Sequence, residues 1–172
     1  MTAVPRPTER LRFRLWQDDD ALARELFGDA RVTALVGGPF DDAAIAARLA
    51  SELGMQREHG FAYWPIALYD KADVGCCGLK PRPTPGELEL GYYLKPAFWG
   101  TGLAVEAARS VVAYAFEVLG TRALFALHHP ENLGSGRVLE KVGFAYSHHE
   151  LYPPTGLMHR GYMLRNPAAP PA

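Results

Sequence analysis

The period of apolar positions changes several times along the chain, and each change marks an element. Arg10 to Trp16 alternates, with Leu11, Phe13 and Leu15 on one side, and reads as a first strand. Asp18, Asp19 and Asp20 then offer an N-cap and first-turn negative charge for a helix ending near Gly28. Gly37-Gly38-Pro39 is a turn. Asp41 or Asp42 caps a second helix running to about Arg57, with Ile45, Leu49 and Leu53 on its inner stripe. Phe61 to Tyr69 and Val74 to Lys80 follow as strands. The first of them contains Pro65, which cannot donate to a ladder and so implies an edge position or a bulge.

The most informative switch lies inside GELELGYYLKPAFWGTGLAVEA, Gly86 to Ala107. Leu88, Leu90, Tyr92 and Leu94 recur at period two, the pattern of a half-buried strand from Glu87 to Leu94. From Gly102 onward Leu103, Ala107, Val111, Val112 and Ala115 recur at helical spacing, to an end near Leu119 and Gly120. The junction holds Pro96, Gly100 and Gly102. Glycines let a backbone approach a ligand, and a helix N-terminus presents unpaired N–H groups with the positive end of its dipole, so this junction has the makings of a phosphate cradle. It is neither a Walker loop nor a Gly-x-Gly-x-x-Gly fingerprint. Ala123 to His128 is a short apolar run, a buried strand that the intervening helix makes parallel to Glu87–Leu94. A short helix follows, with Leu133, Val138, Leu139 and Val142 on its apolar side and Gly143 as a left-handed C-cap. Phe144 to Leu151 and Leu157 to Leu164 form a final hairpin around Pro153-Pro154-Thr155-Gly156.

Composition narrows the class. A chain of 172 residues, 48% apolar and 22% charged, suits one globular domain, here 9–165 between flexible termini at 1–8 and 166–172. Its 18 basic and 19 acidic residues give a net charge of −1, which argues against nucleic-acid partners and makes any phosphate site local and backbone-built. No apolar run of bilayer length and no signal-peptide core is present, so neither a membrane partner nor export is expected, and the expected location is cytoplasmic. Adjacent Cys76 and Cys77 would face opposite sides of a strand and read as small buried residues. The alternation of faces likewise speaks against a metal at His148, His149 and Glu150, and no metal is expected.

Trp99-Gly100-Thr101-Gly102-Leu103-Ala104 resembles the Q/R-x-x-G-x-G/A coenzyme A pyrophosphate loop of the GNAT N-acetyltransferases. The surrounding E-L-G-Y-Y-L-x-P-x-x-W-G-x-G-x-A-x-E-A is similar to the branch that includes the ribosomal-protein alanine N-acetyltransferases, where Trp commonly replaces the Arg or Gln. Pro130 to Phe144 resembles the family's second signature, P-x-N-x-x-S-x-x-[VL]-x-x-[KR]-x-G-F. The resemblance implies an α+β GNAT fold: one domain, a mixed, mostly antiparallel sheet of about seven strands with two splayed parallel strands at its centre, and about four helices.

It implies, too, transfer of an acetyl group from acetyl-CoA to a primary amine, by direct attack in a ternary complex, with a protein N-terminus or a small-molecule amine as acceptor. The loop Trp99, Gly100, Thr101, Gly102, Leu103 and Ala104 would hold the pyrophosphate. The backbone of Tyr92 and Leu94 and the side chain of Asn132 would hold the pantetheine arm. Ser135 would protonate the departing thiolate or orient the sulfur, with helix capping as its alternative role. Many family members use a tyrosine from that helix, but Leu139 and Glu140 stand near its place. Glu89 would be the base, or else an ordinary solvent-facing strand charge, with His128 or His129 as the other candidate base. Trp64, Trp99, Tyr92 and Tyr93 are candidates for the acceptor pocket, which the early helices border in this family. A non-catalytic acyl-CoA-binding module is the competing class. Either a monomer or a homodimer is compatible with the sequence.

Overall fold

The computed structural model describes residues 4–17 and 20–169. Asp18 and Asp19, expected to cap the first helix, lie outside the described residues. Strands β1 (Leu11–Phe13), β2 (Tyr63–Leu68), β3 (Asp73–Pro81), β4 (Glu87–Leu94), β5 (Ala123–His128), β6 (Ala145–Tyr152) and β7 (Leu157–Arg165) form one seven-stranded sheet in the order β1-β2-β3-β4-β5-β7-β6. Every pairing is antiparallel except β4 with β5. Helices α1 (Asp20–Phe27), α2 (Ala30–Thr33) and α3 (Asp42–His59) come before β2, while α4 (Leu103–Glu117) and α5 (Leu133–Val142) flank β5 in sequence.

Two cores lie on the two faces of the sheet. One gathers Trp64, Cys77, Leu79, Leu90, Leu124 and Ala126 under α4 and α5; the other gathers Ala62, Tyr63 and Cys76 with Leu22, Leu26 and Phe27 of α1 and Ile45 and Leu49 of α3. Adjacent Cys76 and Cys77 are both fully buried, one in each core, as alternation requires.

Several local readings need correction. The first strand is shorter than Arg10 to Trp16, and Pro65 explains the length. Arg14 N donates to Pro65 O, so Pro65 turns its main chain toward β1, where its missing N–H ends the ladder; the register of β2 with β3 also shifts beside it, between Ile66 and Ala67. Among the described residues the α-helices number five and not about four, because α2 and a 3₁₀ turn (Ala34–Val36) occupy the stretch between Gly28 and Gly37. Glu52 of α3, not only its apolar stripe, is fully buried: Oε2 accepts the N–H of Tyr63 at 2.9 Å, and Lys80 Nζ lies 3.2 Å from Oε1. Leu133, assigned to the apolar side of α5, is exposed, whereas Leu139 is buried.

The parallel pair shapes the middle of the sheet. β4 and β5 are in register at Glu87 with Ala123, Leu88 with Leu124 and Glu89 with Phe125, and no further. Beyond Glu89 the two strands part, leaving an edge of β4 open in the centre of the sheet. A cavity of about 720 Å³ occupies that gap and extends to both faces.

Candidate active site

The open edge of β4 determines what its backbone can do. Leu79 N is spent on Ala62 O of the preceding strand, and Lys95 N on Val74 O. Pairing therefore alternates so that Leu90, Tyr92 and Leu94 direct their N–H and C=O groups away from β3 and into the gap. An extended chain lying there would find main-chain partners. One of them is already engaged: the Trp99 indole N–H donates to Leu94 O at 2.8 Å, which pins the following loop to the end of β4 while half the ring stays exposed.

That loop turns into α4 through two glycines in the left-handed region, Gly100 at φ 73° and Gly102 at φ 82°. A Cβ on Gly100 would meet nothing within 4 Å, and one on Gly102 only Arg10 Nη2 at 3.5 Å, so the space above both is open to a ligand. The first helical hydrogen bond runs from Glu106 N to Gly102 O. The N–H groups of Leu103, Ala104 and Val105 thus lack helical acceptors, and Gly102 has no side chain to cap them. This cradle fits a pyrophosphate. It is braced from the N-terminal segment: Arg10 Nη1 donates to Thr101 O at 3.0 Å, and Glu106 accepts from Arg10 N at 2.9 Å, from Arg10 Nε at 2.6 Å and from Thr8 Oγ1. Burial alone would raise the Glu106 pKa; those hydrogen bonds and the Arg10 charge bring it below the ordinary value. Nothing in the local sequence announced the brace, because its partners are nearly a hundred residues apart.

On the α4 and α5 face, Asn132 and not Ser135 is the N-cap of α5: its Oδ1 accepts the N–H of Ser135 at 3.0 Å. The Ser135 hydroxyl is left for another task, and it meets Tyr92. The phenol oxygen stands 2.8 Å from Ser135 Oγ and donates to Ser135 O at 3.0 Å. Burial raises the Tyr92 pKa, so this phenol stays protonated at any working pH. A tyrosine therefore does reach the serine, from the strand rather than from the helix. His128, on the same face, lies against Gly136, where a Cβ would fall 2.9 Å from Nε2. Its Nδ1 is 2.7 Å from the carbonyl of His129, and burial lowers its pKa.

Glu89, Gly91 and Tyr93 point to the opposite face. Glu89 is half-buried, with Arg82 Nη1 at 3.6 Å from Oε2. Burial raises its pKa, and the charges of Arg82 and Lys80 counter part of that rise. Arg82 is itself held by a fork to Glu150, at 3.2 and 3.0 Å, and lies 3.8 Å above the Phe125 ring. Tyr63 completes the wall. Its N–H is tied to Glu52, its carbonyl accepts from Trp16 Nε1 at 2.6 Å, and its hydroxyl lies so near Gly91 that a Cβ there would come within 2.2 Å. Of the other aromatic candidates, Tyr93 lines this face and Tyr92 the opposite one. Trp64 is not at the site at all: it is fully buried, edge-on to Tyr114 beneath α4. His129 borders the gap, and its Nδ1 accepts from Glu131 N at 3.1 Å.

An open strand edge, a helix terminus with bare N–H groups and a half-buried carboxylate thus meet at one gap in the sheet. Residues 10–145 match the acetyltransferase (GNAT) domain. The uncharacterised protein YkkB of Bacillus subtilis is 32% identical over 146 residues, covering 81% of this chain and 84% of its own. Among solved structures, an acetyltransferase of Agrobacterium tumefaciens superposes with a TM-score of 0.81 over 95% of both chains at 27% identity. The ribosomal-protein-S5-alanine acetyltransferase of Vibrio fischeri does so at 0.78, over 98% of this chain and 100% of its own, at 18% identity. The chain belongs to the GNAT acetyltransferase family and is an acetyl-CoA-dependent N-acetyltransferase.

Proposed function

We propose that the enzyme binds acetyl-CoA and a primary amine together and transfers the acetyl group by direct attack of the amine on the thioester carbonyl. The observation that carries this reading is the parting of β4 from β5 just after Glu89, which opens the donor-side face, with Ser135, to the face bearing Glu89. The N–H groups of Leu103, Ala104 and Val105 and the open loop Trp99 to Gly102 hold the pyrophosphate. The free edges of Tyr92 and Leu94 and the side chain of Asn132 hold the pantetheine arm. Acetyl-CoA supplies the activated acyl group; the chain supplies position and proton transfer.

Glu89 takes the proton of the incoming ammonium, directly or through a water, and the neutral amine then attacks. A main-chain N–H of the open β4 edge faces the carbonyl oxygen as it gains charge. As the carbon–sulfur bond breaks, Ser135 Oγ–H gives its proton to the thiolate, and the second proton, shed by the attacking nitrogen as it becomes the amide, replaces it on Ser135 through water. With the Tyr92 proton directed to Ser135 O, the phenol oxygen accepts from Ser135 Oγ–H, and a turn of the serine hydroxyl toward the gap frees that proton for the sulfur. The sequence signature supports a relation to the ribosomal-protein alanine branch, and the acceptor types in view are protein N-termini and small amines.

The test is thermal stability with and without acetyl-CoA, followed by free-thiol release against a panel of amines. Stabilisation accompanied by thiol release is expected. Absence of any stabilisation would remove the donor site at Trp99 to Ala104.

A further inference from the structure

Resting on this acetyl-transfer reading, we propose that the acceptor is a small monoamine with an apolar body, seated on the α1–α3 face of β4. A polyamine or the N-terminus of a polypeptide is the wrong shape or charge for that seat.

Charge is the first reason. The carboxylates on this face are Glu89, Glu150 and the buried Glu52. Both oxygens of Glu150 are bonded to Arg82, and Glu52 is engaged by Tyr63 N and Lys80. Three cations stand among them: Arg82, Lys80 and Arg48, whose guanidinium lies 4.5 Å from the Phe27 ring centre and 4.7 Å from that of Tyr93. Arg31, at the rim, is paired with Asp29. Of these three carboxylates, Glu89 is the one with an oxygen to give to an incoming ammonium. A second or third ammonium would sit half-buried beside Arg48 and Arg82 with no carboxylate left to meet it.

The walls are the second reason. Tyr63 and Tyr93, with ring centres 6.1 Å apart, form one side and Tyr152 another, while Val32, Leu35 and Val36 of α2 and the 3₁₀ turn close the third. Burial lifts the Tyr152 pKa to about 12 and raises that of Tyr63, so these two phenols are neutral at working pH.

The roof is the third. Gly37 lies so close to the β6–β7 turn that a Cβ there would be 2.8 Å from Pro154 Cβ. Thr155 of the same turn is 3.0 Å from His159 Nε2, and His159 stacks on Tyr152 at 4.5 Å. The two segments thus meet over the Tyr152 side of the seat. A polypeptide would have to thread beneath them with its own peptide groups unpaired against apolar walls.

The experiment compares kcat/KM for 2-phenylethylamine and hexylamine with that for spermidine and an alanine-initiated hexapeptide, reading thiol release from acetyl-CoA. The expected result is a preference of about 100-fold or more for the monoamines, the scale by which a site rejects a substrate that leaves polar groups unpaired. Leu35→Glu, which adds a carboxylate to the wall, should raise spermidine turnover about 10-fold. Tyr152→Ala should lower phenylethylamine kcat/KM about 10-fold with the KM for acetyl-CoA unchanged. Equal or better use of spermidine or the peptide overturns the acceptor class but leaves acetyl transfer standing. So does silence from the whole panel while acetyl-CoA still stabilises the protein. Silence with no stabilisation sinks the transfer reading itself.

Discussion

In the proposed role of base, Glu89 depends on Arg82, seven residues earlier and across a hairpin. Burial alone would hold its proton too firmly; the Arg82 and Lys80 charges bring the carboxylate back toward ionisation. The rate should therefore rise with pH as Glu89 ionises, with an acid limb above the ordinary carboxylate value of 4.5. Arg82→Met removes the cation and leaves Glu150 facing Glu89, so the limb should move to higher pH in the kcat/KM profile. An unmoved limb would take Glu89 out of the role. For stability the sign is opposite to that of a salt-bridged acid: the native state holds this proton more tightly than the unfolded chain, so ionising Glu89 costs stability as pH rises through its window. Ser135 and Tyr92 form the second residue-scale unit. Ser135→Ala should lower kcat about 10- to 100-fold with little change in the KM for acetyl-CoA. Tyr92→Phe should lower it less, and the double variant should match Ser135→Ala, since both changes act on one proton. Additive losses would show that Tyr92 does not work through Ser135.

At the scale of elements, the site is assembled where three of them end. β4 loses its parallel neighbour, the loop after it is pinned by the Trp99 indole, and α4 begins with no side-chain cap. Gly102→Val places a β-branched residue at a φ of 82° and a side chain over the bare N–H groups. Acetyl-CoA affinity measured by calorimetry should fall at least about 10-fold. Gly120→Ala is the control: that glycine also has a left-handed φ, of 65°, but lies beyond the other end of α4, so it should cost stability and leave affinity unchanged. Equal affinity losses in the two variants would mean that backbone strain, and not the cradle, is being read.

For the molecule as a whole, buried histidines should make stability fall as the medium turns acid. Burial lowers the pKa of both His128 and His159, with neighbouring histidines adding to the effect at His159. Unfolded, each would titrate near 6.5, so between that value and its native pKa the unfolded chain binds more protons, and stability falls as pH drops through the window. Urea midpoints should accordingly decline below about pH 6.5, and His159→Gln should flatten the decline. A midpoint independent of pH there would show that these rings are protonated in the native state.

Much of the architecture was legible in the chain because it is written in local periods. Alternation placed β4 and put Cys76 and Cys77 on opposite sides of their strand, whereas Tyr92 and Tyr93, both read as acceptor-pocket candidates, proved to lie on opposite faces. The two-glycine junction and the Gly143 cap were readable because only glycine takes those backbone angles cheaply. What local pattern cannot hold is a contact between segments far apart in sequence. The Arg10 brace on Thr101, the Tyr92 phenol at Ser135, the Arg82 fork to Glu150 and the meeting of Gly37 with Pro154 all join residues that no short window contains. The sequence by itself determined the class of fold and the place of the loop proposed as the donor cradle, since a strand, a glycine turn and a helix start are neighbours in the chain. Only the tertiary structure decided which hydroxyl meets Ser135, what charge surrounds Glu89 and how the acceptor face is closed, because each depends on side chains brought together by the packing of the sheet.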